Sequence, residues 1–433
     1  MSYQTEPPVI VYNGIDAPYR VSSTNAVDGS AIQLMGIADS WTDAFGRLRT
    51  SDPQTLFESS FTYDTQPLQF EKVETTSGTV VHDDDTQSLT LTAATTSGSL
   101  AAIQSRSYLP YSKGKSQLVK ITFTLGAAVA NVRRRCGYFD ALNGFFLEQD
   151  IDGLSVVRRS SSSGSLVDTH IPQGDWNRDR LDGSGPSGIT LDATKPQILV
   201  IDGQWLGVGR VRMGFNIDGA TIYVHEFLHA NRHDVAPYTQ TFSLPVRWEI
   251  ESTAASAGGT FQAICCEVES EGGFSSPNGL TFSTLNPADI ATTTALTHVL
   301  SIRPATEYPA SSGHVNRTFI IPGDISMIIG SNASAVSVLY GSVLTGGTWT
   351  RANANSAVEY GLGQTITTPG VLHHAFFAAA TAQARAEAEF SVDSQYPLSL
   401  SIAGDAPQAM TIAVQTVTGN GTARAAMDWK EIR

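Results

Sequence analysis

The 433-residue chain is short of cysteine, of charge and of long apolar runs, and each shortage removes a class of protein. Three cysteines, two of them neighbours (Cys265, Cys266), exclude a disulfide framework. Charged residues make up 16%, too few for long solvated helices, whose exposed faces need Glu and Lys. Acids outnumber bases by 41 to 27, and a net charge of −14 argues against a protein that lives by phosphate contacts. No nucleic-acid partner is expected. No stretch approaches the roughly 18 apolar residues of a membrane span, so no membrane partner is expected either. Met1 to Ile10 lacks the basic start and apolar run of a secretory signal, which points to folding in a reducing cytosol.

Hydrophobic residues reach 41%, enough for a sizeable core, and Ser, Thr, Gly and Asn fill the space left by charge. That is the composition of many short strands joined by tight turns. From Phe61 to Gly273 apolar residues alternate with polar ones. Val119, Ile121, Phe123 and Leu125 share one face, as do Val211, Met213, Phe215 and Ile217, and again Val246, Trp248 and Ile250. Each run predicts a half-buried strand, with Lys120, Arg212, Arg247 and Glu249 turned outward. Asn143-Gly144, Asp152-Gly153, Asp202-Gly203 and Asp218-Gly219 fall between such runs, where hairpin turns need residues tolerant of positive φ. Crossover helices are missing, which excludes a doubly wound sheet.

The expected fold is mainly β: an antiparallel β-sandwich, lectin-like or jelly-roll-like, with an extended N-terminal arm and a second C-terminal β-sandwich domain. The arm is placed at 1–58, because Pro7, Pro8, Pro18 and Pro53, with Asn13-Gly14 and Asp28-Gly29, interrupt every apolar run there before it reaches strand length. Trp41, Phe45, Leu48, Leu56 and Phe57 are too apolar for a solvated tail, so they are expected to form an assembly interface. The central sandwich is placed at 59–273, a linker at 274–287 and the C-terminal β domain at 288–433. Within the last, Leu398, Leu400 and Ile402 alternate, as do Met410, Ile412 and Val414, while Ala375 to Phe390 suits a short helix or a strand edge.

His225-Glu226-Phe227-Leu228-His229 matches the zinc-protease pattern H-E-x-x-H, with His233 nearby. On a helix both imidazoles reach one metal and the Glu serves as base. Here the pentad follows the turn Asp218-Gly219 and the β-favouring run Thr221-Ile222-Tyr223, so it reads as a return strand. Positions four apart on a strand are separated by roughly 13 Å, too far for one ion. The expectation is therefore no metal and no cofactor. Arg133-Arg134-Arg135 is the densest basic cluster, expected to pair with local carboxylates or a partner surface. His82-Asp83-Asp84-Asp85 reads as a solvated loop, with calcium binding by Asp83 to Asp85 left open. Cys266 shares a strand face with Ile264 and Val268 and reads as core. Trp176 and Trp205, beside Asp and Asn, are candidates for stacking on sugar rings. Two carboxylates on adjacent strands suffice for glycoside hydrolysis, but no E-x-D-x-x-E strand is present to point them out.

Several long segments carry a resemblance. Trp41 to Phe57 (WTDAFGRLRTSDPQTLF), Ser59 to Glu71, Gly126 to Asp150, Leu199 to Gly219, His225 to Asn231 (HEFLHAN) and Leu244 to Thr253 resemble a family of large virion structural proteins of tailed bacteriophages. So do Pro397 to Pro407 and Trp429 to Arg433 (WKEIR). The resemblance implies a non-enzymatic component of the phage particle, in a tail, neck or fibre appendage, assembled in the host cytoplasm. A particle component with a docking arm and a projecting sandwich is expected to partner other copies of the chain, as a trimer first with higher rings as the alternative, and neighbouring virion proteins. A head decoration protein and a sandwich that binds host-surface glycans are the alternatives, with a zinc hydrolase using His225, Glu226 and His229 a remote one.

Overall fold

The computed structural model describes residues 9–12, 18–25, 31–35, 42–50, 52–232, 235–273, 279–286, 288–380 and 397–433. Nearly every regular element is an antiparallel strand. Two sheets form the first sandwich. The front sheet runs Val167–Pro172, Gly153–Ser160, Gly144–Asp150, Val132–Phe139, Val246–Ser252, Leu100–Ser105, Phe70–Thr75. The back sheet runs Ala220–Phe227, Val211–Ile217, Gln197–Gly203, Gln117–Thr124, Gly259–Ser270, Ser88–Ala93, Thr79–Asp83, with Gln54–Ser60 also paired to Gly259–Ser270.

The period-two pattern decides which side chains meet between the sheets. Phe70, Ile103, Tyr138, Phe145, Val156 and Trp248 of the front sheet pack on Leu91, Val119, Ile121, Phe123, Ile201 and Phe215 of the back sheet, all of them buried. Phe61, Phe70 and Trp248 form an aromatic knot, with ring centroids 5.0 Å (Phe61–Phe70) and 5.6 Å (Phe61–Trp248) apart.

The second sandwich has its own core of Val299, Ile302, Ile325, Met327, Val338, Ile412 and Trp429. One sheet is Leu280–Leu285, Gly421–Ile432 and Ile290–Thr292, with Phe319–Ile329 also on Gly421–Ile432. The other is Thr348–Arg351, Val358–Leu362, Thr297–Pro304, Met410–Thr416, Ser334–Tyr340, Val371–Ala378. The two sandwiches touch. Leu68 packs on the second core, Glu71 accepts the amide of Ile402 at 3.0 Å, and Arg317 lies 4.6 Å over the ring of Tyr108.

The mainly β reading with antiparallel sandwiches holds. Several boundaries differ. The expected extended arm contains a three-stranded antiparallel meander, Val9–Tyr12, Pro18–Asn25 and Ala31–Met35, because strands of four to eight residues fit between its Pro and Gly punctuation. Gln54–Ser60 straddles the expected boundary at 58 and belongs to the back sheet. The expected linker holds Leu280–Leu285, a strand paired with Gly421–Ile432. Between Ala375 and Phe390 the described part continues the edge strand Val371–Ala378, and residues 381–396 lie outside the described residues. Of the four expected hairpin signals, Asp218-Gly219 alone has positive φ at both residues, 49° and 82°. Asp202-Gly203 is no turn: both residues end the strand Gln197–Gly203, and the chain reverses after Gln204.

Candidate functional site

The alternation that sends Tyr138, Phe145 and Trp248 into the core sends a band of charge onto the opposite face of the front sheet. Arg135 sits in register between Glu148 and Glu249 on its two neighbouring strands. Its Nε donates to Glu148 at 2.7 Å and its Nη1 to Glu249 at 2.6 Å. Arg247 donates to Glu249 through Nε at 2.9 Å, Arg133 meets Glu251 at 2.8 Å, and Arg159 forks onto Asp168 at 2.9 and 2.8 Å. Below them Phe139 and Phe146 face each other at 4.4 Å between centroids, and the guanidinium of Arg159 caps both rings.

Arg247 and Glu249 were expected on the outward, solvated face, and Arg133 to Arg135 paired with local carboxylates or a partner surface. Instead Glu148, Glu249, Arg135 and Arg159 are all buried. Burial alone would raise the Glu249 carboxyl, but Arg247 and Arg135 outweigh it and hold it down at about 2. Glu249 is a fixed anion and donates no proton near neutral pH.

Gln104 continues this band at its other end, accepting from Arg247 at 2.8 Å. It also lines a cleft of about 530 Å³ at the junction of the two sandwiches. The first sandwich contributes Tyr108, Asp140, Asn143, Gln240, Thr241 and Ser243, and the second contributes His314, Arg317, Phe319 and Arg433. Several of these polar groups are held before any ligand arrives. Asp140 accepts the amides of Leu142 and Asn143 at 2.7 and 2.8 Å. Asn143 and Gln240 interlock: the Asn143 amide donates to Gln240 Oε1 and the Gln240 backbone N–H donates to Asn143 Oδ1, both at 3.0 Å. Burial and the neighbouring Asp140 push the Tyr108 hydroxyl well above its ordinary range, so it stays a neutral donor. The volume and the mix of apolar wall with few convergent polar groups suit a small polar ligand.

The back sheet's outward face carries a different cluster. Asp202 is fully buried and accepts from Ser116 Oγ at 2.7 Å and Tyr223 at 2.8 Å, and it pairs with Arg212, its cross-strand neighbour. Arg49, from the segment 42–50, reaches in to Asp202 at 2.9 Å and to Glu271 at 2.6 Å. Arg210 and Arg212 donate to the carbonyls of Ala44 and Thr42 at 3.0 and 2.8 Å. The segment is thereby fastened to its own sandwich.

Of the residues proposed as an assembly interface, Trp41 lies outside the described residues. Phe45 is half-buried under Arg47, and Leu48 is exposed. Leu56 and Phe57 pack against the chain's own first core. Arg133 and Arg135 meet carboxylates of neighbouring strands, while Arg134 turns to the other face and donates to Gln149 and to the carbonyls of Ala127 and Thr260. Trp176 cannot stack on a sugar: it is buried in the first core and donates to the carbonyl of Ile171. Trp205 is half-buried, edge-on to Tyr111, and donates to Thr239 at 2.7 Å.

His225 and Glu226 lie on the strand Ala220–Phe227 and point to opposite faces. Glu226 meets Arg178 at 2.7 Å and Arg210 at 3.1 Å. His225 accepts the amide of Asn177, while His229 lies beyond the strand, against Tyr238 and the carbonyl of Ala236. The pentad is extended, and among the described residues no three His, Cys, Asp or Glu side chains are grouped to hold a metal ion. His233 lies outside the described residues. Asp83 caps its own turn, accepting the amides of Asp85 and Thr86.

No family model matches the chain, and no curated protein matches it. Among solved structures it is similar to an endo-β-1,4-glucuronan lyase from the fungus Trichoderma reesei, at 13% identity over 50% of this chain and 95% of that one, with a TM-score of 0.32. A glycoside hydrolase family protein from Mycobacterium thermorestibile shows 13% identity over 49% and 99%, with a TM-score of 0.34. The carbohydrate recognition domain of Emp47p shows 8% identity over 52% and 99%, with a TM-score of 0.31. Likenesses this distant assign no substrate and no reaction to this chain. They do correct one expectation. A lyase and a glycoside hydrolase stand among the structures it is similar to, so the reading of the chain as non-enzymatic is withdrawn.

Proposed function

We propose that the chain is a carbohydrate-binding protein whose saccharide site is the cleft between its two sandwiches. The observation that carries this reading is the cleft itself: about 530 Å³, walled by Tyr108 and Phe319, with Asp140, Asn143, Gln240 and Thr241 converging on it. Sugar hydroxyls both donate and accept, and these side chains offer both roles. Because Asn143 and Gln240 already hold each other, binding costs little side-chain ordering. A glycan array tests the reading. Hits that weaken about tenfold or more in Asn143→Ala are expected, and an array without hits would end it. Incubating the bound glycans with the protein and following their length tells binding alone from cleavage.

A second reading concerns where the protein works. We propose that it belongs to a tailed-phage particle and meets other copies of itself, as a trimer, and neighbouring virion proteins. The segments from Trp41 to Thr253 that resemble virion structural proteins support this. Mass spectrometry of purified particles should then find the chain in stoichiometric amount, and particles lacking it would refute the placement.

A further inference from the structure

We infer that the junction cleft selects a saccharide carrying a carboxylate, and that Arg317 is the residue that seats it. This inference rests on the proposal that the cleft binds glycans, and it names which ones.

Arg317 precedes the strand Phe319–Ile329 and lines the cleft from the second sandwich. Its guanidinium lies 4.6 Å over the ring of Tyr108, which fixes its plane. Nη1 donates to the carbonyl of Ser401 at 2.9 Å and Nη2 to that of Ile402 at 2.8 Å. A guanidinium has five N–H donors, so these two bonds leave three. No described carboxylate lies within ion-pair distance of it, whereas Arg433, also at the cleft, is paired with Glu431. The one acid of the cleft, Asp140, takes the amides of Leu142 and Asn143 on Oδ1 and makes no ion pair with Arg317.

Thus a chain of net charge −14 places a half-buried guanidinium, paired with no carboxylate among the described residues, in its junction cleft. A carboxylate meets that planar fork with two parallel hydrogen bonds, and a neutral sugar does not. Asp140 sets the polarity. It repels an anion and accepts hydroxyls, so the ligand's carboxylate lies toward Arg317 and its hydroxyls toward Asp140, Asn143 and Gln240. Uronic and sialic acids share this chemistry.

Calorimetric titration of the full chain with trigalacturonate and with sialyllactose, each beside its methyl ester, tests the inference and separates the two sources. At least one acid is expected to bind about tenfold or more tighter than its ester, with affinity falling as salt is raised, while its ester binds with no salt dependence. Arg317→Gln should remove the acid's advantage and Arg317→Lys should keep part of it. The salt series on the unaltered protein carries the test if Arg317→Gln misfolds. An ester that binds as tightly as its acid overturns the inference and leaves the glycan reading standing. Failure of all four probes, with neutral glycans bound on the array, also overturns it, and an array without any hit removes both.

Discussion

The two outward faces of the first sandwich bury their charges in different ways. On the front sheet the carboxylates that meet Arg135, Arg159 and Arg247 stand on the same or an adjacent strand, so the network closes within one sheet. On the back sheet Asp202 is closed from outside, by Arg49 of a segment that precedes the sandwich. In the first case the register of neighbouring strands sets the chemistry. In the second a contact between residues 153 positions apart does. A charged residue on an outward strand position is therefore no guarantee of a solvated face.

The largest effect expected from breaking this pattern is Asp202→Ala, which strands the fully buried Arg212 without its carboxylate. Removing one partner of a buried pair costs about 3–5 kcal/mol, and denaturant unfolding should show that loss. Glu249→Ala takes the shared anion from Arg135 and Arg247, which keep Glu148 and Gln104 as partners, so about 2–3 kcal/mol is expected by the same measurement.

Acid should reach the front network by a second route. Glu249 titrates near 2 in the folded chain and near 4.5 when unfolded, so the unfolded chain binds the extra proton between those values. Its contribution, about 3 kcal/mol, is complete above pH 4.5 and lost as pH falls toward 2. His225 and His298 open an earlier window. Burial lowers both from 6.5 to about 4, so stability should already decline as pH drops from 6.5, and unfolding midpoints measured from pH 7 to 3 should show it. Substituting Gln for each histidine should flatten that first decline and leave the later one.

The smallest effect is expected from Arg49→Ala, since Asp202 keeps Arg212, Ser116 and Tyr223. A global loss of about 1 kcal/mol should accompany a marked rise in amide exchange over residues 42–50, with exchange across the front sheet unchanged.

How much of this was legible follows from the range of the interactions. Alternation around Val119, Val211 and Trp248 gave strands and their inward faces, because the side-chain period is local. It marked Arg247 and Glu249 as outward correctly and as solvated wrongly, since burial on that face comes from neighbouring strands that no spacing reveals. Asp202-Gly203 carried the composition of a turn and hid a buried ion pair. Asn143 was noted only as turn punctuation, yet it meets Gln240, 97 residues away, and Arg317 joins them from the other sandwich. The cleft had no local signal to find. The strand reading of the H-E-x-x-H pentad fared better, because period-two alternation is itself a short-range property.

Hydrogen–deuterium exchange on the full chain, with and without the tightest-binding array glycan, tests the central claim most directly. Protection is expected at Asp140–Asn143, Gln240–Ser243 and His314–Phe319 together, from both sandwiches at once. Protection confined to one sandwich, or centred on the segment 42–50 and the back sheet, would contradict it.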